Sequence, residues 1–94
     1  MSTLYFYILK DPDCLTKSKI GISKNPEQRL RSYRTACPQC TFSYIKEISH
    51  KKIEKDIIFH LKGQFKVDRE LVHCNPSILQ NIVEGLMEDF NQTG

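Results

Sequence analysis

The chain has 94 residues, 39% apolar and 27% charged, which allows one globular domain with a modest core and excludes a disordered polyelectrolyte. No apolar run approaches the ~20 residues of a membrane span, and no basic head with an apolar segment opens the chain, so the expectation is a cytoplasmic or nuclear protein that is not secreted. The formal charge of +3 permits a polyanionic partner without requiring one.

Residues 4–9 are apolar and rich in aromatics, as a well-covered strand requires. Alternation sets Tyr5, Tyr7 and Leu9 on one face and Leu4, Phe6 and Ile8 on the other. Lys10-Asp11-Pro12-Asp13 is turn chemistry, and the polar run lasts to Ser18. A second strand over 19–23 turns Ile20 and Ile22 one way and Lys19, Gly21 and Ser23 the other. Paired antiparallel with the first strand, it brings Lys19 near Tyr7, and Gly21 leaves room for a close approach.

Asn25-Pro26-Glu27-Gln28 predicts a helix start, with a capping side chain, a proline at the first helical position and a glutamine three residues on. The helix runs through Leu30, Tyr33 and Cys37 and stops before Pro38. Arg29 and Tyr33, four apart, stack along one edge. Lys17, Lys19, Lys24, Arg29, Arg31 and Arg34 share their stretch with Glu27 as its sole acid, which predicts a basic patch.

Thr41–Ile48 reads as a third strand, with Phe42, Tyr44 and Ile48 on one side and Ser43, Ile45 and Glu47 on the other. Ser49 is placed to cap a second helix over 50–62, ended by Gly63. Its buried stripe is Ile53, Ile57, Ile58 and Leu61. Glu54 flanks that stripe one turn after His50, while His60 lies about 120° round from Glu54 by the ~100° helical step. Residues 65–74 read as a short strand or turn around Arg69-Glu70-Leu71-Val72. Asn75-Pro76 repeats the cap signature and opens a last helix, to about residue 90, whose stripe is Ile78, Leu79, Ile82, Val83, Leu86, Met87 and Phe90. A stripe that broad suits packing on a sheet or on a second copy of the chain, which makes a homodimer through this helix one expectation. Gln92-Thr93-Gly94 reads as a frayed tail.

Cys37-Pro38-Gln39-Cys40 has zinc-type spacing, with His73-Cys74 as a distal pair. Only one tight pair exists, and stable disulfides are not expected without a secretory signal. The preferred reading is free thiols, and a zinc module of Cys37, Cys40, His73 and Cys74 is the rival.

Phosphodiester hydrolysis needs a group to position or deprotonate water, cationic help for the phosphorane, and usually a metal for the leaving oxygen. Tyr7 with Lys19, Arg29, and Glu54 offer these in turn. A free tyrosine, at a pKa of ~10, is a poor base, and an ammonium alongside favours its ionised form. Arg29 can fork onto two phosphate oxygens. Glu54 suits Mg²⁺ (or Mn²⁺), which keeps several waters and needs only one or two carboxylates.

In the order and spacing of these residues the chain resembles the GIY-YIG nuclease superfamily, most of all its small phage- and virus-type branch with a Lys-Ile-Gly second motif. Tyr5-Phe6-Tyr7 stands where the first motif falls and Lys19-Ile20-Gly21 where the second does. Pro26 to Leu30 is similar to the helix with the family arginine, and Ile53 to Ile58 to the helix with the metal glutamate. The resemblance covers residues 4–74 of a domain taken as 1–94. It implies an α+β fold, β-β-α-β-α-(short strand or turn)-α, with a three-stranded antiparallel sheet flanked by helices. It also implies a metal-dependent DNA endonuclease in which Lys19, standing where the common motif has tyrosine, assists Tyr7. Tyr33 occupies a position where relatives carry histidine or tyrosine and would orient phosphate or water. Lys17, Lys24, Arg31 and Arg34 would track the DNA backbone. Tyr5, Gly21, His50, His60 and Glu70 are accessory candidates. The alternative is a non-catalytic nucleic-acid-binding or protein-interaction module on the same fold.

Overall fold

The computed structural model describes residues 3–93, with side chains described as far as residue 89. Strands β1 (Leu4–Asp11) and β2 (Cys14–Ser23) form an antiparallel hairpin around Pro12-Asp13. Asp11 Oδ1 closes the turn by accepting the Asp13 N–H at 2.9 Å. The polar residues 14–18, expected as loop, are already strand. They extend the hairpin with Leu15, Thr16 and Lys17 facing water, and the buried Ser18 donates to the Cys74 carbonyl at 2.8 Å. Strand β3 (Thr41–Ile48) pairs with the other edge of β1.

Two short strands, β4 (Val67–Asp68) and β5 (Leu71–Val72), form a second hairpin through Arg69-Glu70 and extend the sheet beyond β2. The expected three-stranded sheet is therefore a five-stranded antiparallel one, in the order β3-β1-β2-β5-β4. Its extra strands are two residues each, too short for an alternation pattern to betray. Arg69, at φ 57°, is the one non-glycine residue in left-handed backbone among those described. A turn of two residues demands such a conformation there.

Helix α1 (Pro26–Arg34) begins as its cap chemistry predicts, with Asn25 Oδ1 accepting the Gln28 N–H at 3.2 Å. It is shorter than expected, and Ala36 and Cys37 follow in a turn bonded to the Tyr33 carbonyl. Helix α2 (Lys52–Lys62) starts later than expected and without a side-chain cap, so Ser49 does not cap it. Helix α3 (Pro76–Thr93) starts at its predicted cap, where Asn75 Oδ1 accepts the Ser77 N–H at 2.8 Å.

The helices divide between the two faces of the sheet. α2 and α3 cover the face with Phe6, Ile8, Ile20 and Ile48, and bring Ile57, Leu61, Leu79, Val83 and Met87 into one buried cluster with Val72 and Cys74. The stripe of α3 is thus largely spent inside the chain, although Ile78 falls off it and is 54% exposed. The Phe90 side chain lies outside the described residues, as does Gly94. On the opposite face α1 covers a smaller cluster of Tyr7, Leu9 and Cys40, flanked by Leu30, Tyr33, Cys37 and Phe42. Phe42 was expected beside Tyr44 and Ile48. A β-bulge shifts the register so that Tyr44 pairs with Ile8 but Phe42 with Leu9, and the extra residue sends Phe42 to the α1 face.

Candidate functional site

The site grows from the α1 face of the first hairpin. Tyr7 in β1 is directly opposite Gly21 in β2. The tyrosine ring lies across the glycine, so that a Cβ at position 21 would stand 2.5 Å from the Tyr7 hydroxyl oxygen and 2.7 Å from Cζ. This is the close approach expected of a glycine inside a strand. Tyr7 is completely buried, with its ring 5.3 Å from that of Phe42 and 6.2 Å from that of Tyr33.

A buried hydroxyl must find a partner, and α1 supplies it. Tyr33 sits on the inner side of the helix, and its hydroxyl lies 2.9 Å from that of Tyr7. Burial, and then the bond to Tyr7, push the Tyr33 hydroxyl well above the ordinary tyrosine range. Tyr33 therefore keeps its proton at neutral pH and is suited to donate it to Tyr7 in that bond.

Two cations flank Tyr33. Lys19 Nζ stands 4.8 Å from the centre of its ring and Arg29 Cζ 5.8 Å, both within cation–π reach. Lys19 was expected beside Tyr7, but it pairs with Leu9 in the sheet and its ammonium is over the Tyr33 ring. Arg29, exposed on α1, has its guanidinium held above its ordinary value, first by hydrogen bonding with the Tyr7 hydroxyl. It thus faces the buried pair from the solvent side with its charge secured.

The acids approach from the other end of the site. Glu54, in the first turn of α2, is half-buried, and its carboxyl is pushed up first by burial and then by Glu70. Glu70 also acts electrostatically on Tyr33 and Arg29. Its charge therefore bears on Glu54 as well as on Tyr33 and Arg29. From sequence it is only an accessory candidate, because it lies in a hairpin too short to carry a periodic signal. Its position is fixed by β5, whose pairing with β2 includes the bond from the Ile20 N–H to the Glu70 carbonyl at 2.9 Å. A half-buried carboxylate such as Glu54 is a hard, anionic oxygen donor, which fits Mg²⁺ or Mn²⁺.

The remaining candidates lie further out. Tyr5 shares the Tyr7 face and pairs with Ser23 and Glu47. Lys17, Lys24 and Arg31 are exposed around the hairpin and α1. Arg34 is exposed too, but its Nε donates to the Cys40 carbonyl at 2.9 Å, so it also ties α1 to the next loop. His50 is exposed ahead of α2. His60 is exposed at the far end of α2, where its ring nitrogen meets the Gln64 amide at 3.1 Å.

The free-thiol expectation holds for two of the four cysteines and fails for the other two. Cys37 and Cys40 are joined in a disulfide, and Cys14 and Cys74 are free. The four-residue set with His73 is not assembled, because Cys74 packs in the cluster under α2 and α3 while Cys37 and Cys40 belong to the α1 face. No helix among the described residues is long and apolar enough to cross a membrane.

Compared with known proteins, residues 4–87 match the family model described as the T5orf172 domain. No curated protein and no solved structure matches the chain.

Proposed function

The chain belongs to the T5orf172 domain family, a phage-derived family associated with nuclease-type proteins, and we propose that it is a metal-dependent endonuclease hydrolysing phosphodiester bonds in DNA on a GIY-YIG-like framework. The observation that carries this reading is the convergence on Tyr33. One neighbourhood holds the 2.9 Å hydroxyl pair with Tyr7, the charges of Lys19 and Arg29, and the electrostatic reach of Glu70 towards Glu54.

In the proposed reaction the exposed Arg29 guanidinium forks onto non-bridging phosphate oxygens and offsets the negative charge of the phosphorane. Tyr33, the outer phenol, holds the attacking water by its hydroxyl. Tyr7, buried behind it, acts through Tyr33: it accepts the Tyr33 hydroxyl hydrogen bond and fixes the direction in which that oxygen meets the water, whose proton leaves to solvent. Lys19 holds the Tyr33 ring and adds positive charge beside the incoming phosphate. Glu54 would hold Mg²⁺ or Mn²⁺, which would supply neutralisation of the leaving 3′ oxygen. Lys17, Lys24 and Arg31 would follow the DNA backbone with little sequence information.

The test is cleavage of supercoiled, branched and single-stranded DNA with Mg²⁺ or Mn²⁺, beside Arg29→Ala and Glu54→Ala. Each variant should lose at least about 100-fold in rate, the scale set by removing one transition-state donor. Absence of cutting by the wild type, or cutting by both variants at the wild-type rate, overturns the assignment. The full burial of Tyr7 favours one second reading, a domain that binds nucleic acid without cutting it. Salt-dependent DNA binding with no Mg²⁺-dependent product would select that reading.

A further inference from the structure

The end of α1 and the tip of the first hairpin meet in a second cluster, reached from Tyr33 along one cavity. Asp11, Cys14, Cys37 and Cys40 all line a cavity of about 280 Å³ that runs from the hairpin tip to Tyr33. Asp11 and Cys14 are register partners across the hairpin. One ligand atom each from Asp11, Cys37 and Cys40 lie within 4.8 Å of one another. Gln39, between the two cysteines, donates from its amide to Asp11 Oδ1 and to Asp13 Oδ2, both at 3.1 Å. Asp11 Oδ1 also accepts the Asp13 N–H. The carboxylate is thus turned and held by the very loop that carries the sulfurs, as outer partners hold a metal ligand.

We propose that, once the Cys37–Cys40 disulfide is reduced, Cys37, Cys40 and Asp11 form a zinc site, so that the loop after α1 alternates between a disulfide and a metal clamp. Two thiolates and a carboxylate are a donor set that zinc accepts, with a fourth position taken by Cys14 or water. Tetrahedral bonds of ~2.0–2.3 Å place the donor atoms roughly 3.3–3.8 Å apart, so the two sulfurs, bonded to each other in the oxidised state, move apart on reduction while the Asp11 carboxylate, within 4.8 Å of them, has little distance to close. The two states exclude each other, because the same sulfur electron pairs serve the S–S bond or the metal.

The chemistry balances with a dithiol as reductant. It gives two electrons and two protons to the disulfide and leaves as a disulfide itself, and Zn²⁺ then displaces the two thiol protons. This ligand set differs from the one the sequence predicts. His73 and Cys74 are replaced by Asp11, which the hairpin brings across and which no spacing rule announces. The clamp would tie the hairpin tip to the loop that follows Tyr33, so its state bears on how firmly Tyr33 is held.

The experiment needs no catalytic readout and stands apart from the nuclease assignment. The full chain is reduced with a phosphine, loaded with Zn²⁺, freed of excess metal by gel filtration and analysed for metal. Co²⁺ substitution supplies a thiolate charge-transfer band. The reduced wild type should retain one zinc per chain and the oxidised protein none. Cys37→Ser and Asp11→Asn should lose it, and Gln39→Ala should bind roughly 10–100-fold more weakly, as for an outer partner. Far-UV spectra establish that each variant is folded, and Asp11→Asn keeps the test open if Cys37→Ser does not fold. Reduced wild type without stoichiometric zinc overturns the proposal. So does retention of zinc by a folded Asp11→Asn, or its loss on Cys74→Ser.

Discussion

The two faces of the sheet are built from the same strands by the same alternation, yet they do opposite work. On the α2 and α3 face, Phe6, Ile8 and Ile20 join a wide buried cluster of aliphatic and aromatic side chains. On the α1 face, Tyr7, Gly21 and Lys19 replace them, and the cluster is small and ends in hydroxyls and charges. One face stores the stability. The other spends some of it holding a buried hydroxyl, a space where a side chain could have been, and half-buried acids. A chain of 94 residues can carry such a face only because its reverse is so plain.

That contrast is breakable. Ile57→Ala should open a cavity on the plain face and cost about 2–5 kcal/mol, seen in urea or thermal melts, whereas Arg29→Ala should melt within about 1 kcal/mol of the wild type. Equal losses from the two would dissolve the distinction. Gly21→Ala is the next largest. Its Cβ would displace Tyr7, an overpacking cost of about 1–3 kcal/mol, and should separate the Tyr7 and Tyr33 hydroxyls. If activity and melting both stay at wild-type values, the glycine is not what admits the ring. Arg69→Gly should stabilise by up to about 1 kcal/mol, since left-handed backbone costs a side-chain-bearing residue roughly 1–2 kcal/mol and glycine loses part of that gain to chain entropy. A lower melting temperature would contradict this.

The smallest effect belongs to Glu54. Burial and Glu70 make its folded form hold a proton more tightly than the unfolded chain does. Its favourable contribution is therefore present below the ordinary glutamate range and is lost as pH rises through the raised folded value. Glu54→Gln should remove that slope and raise the melting temperature at neutral pH by about 1–2 °C, the size that a half-exposed, screened group permits. Mg²⁺ should raise the wild-type melt and leave the variant unmoved. A variant that melts lower than wild type at neutral pH without metal would reverse the sign of the argument.

Much of this was legible in the sequence where the cause is local. Asn25-Pro26 and Asn75-Pro76 carry their caps within three residues, and the Tyr7 and Gly21 alternation needs only the two strands themselves. What escaped depends on distant segments. The bulge near Ser43 is fixed by pairing with β1, and Ser43 Oγ also donates to Gln80 on α3 at 3.1 Å. The two-residue strands that carry Glu70 into the site are held by β2 and are below any periodic signal. Cys37 and Cys40 were recognised as a pair, but Asp11 meets them only because a hairpin and a helix end arrive at the same place.

The Tyr7–Tyr33 pair has an optical consequence. The chain has four tyrosines and no tryptophan, so its intrinsic emission is tyrosine emission alone, and two of its emitters share one hydroxyl–hydroxyl bond. Any molecule that arrives against Arg29 and loosens that bond would change the native fluorescence directly, and the protein could report on its own occupancy without a label.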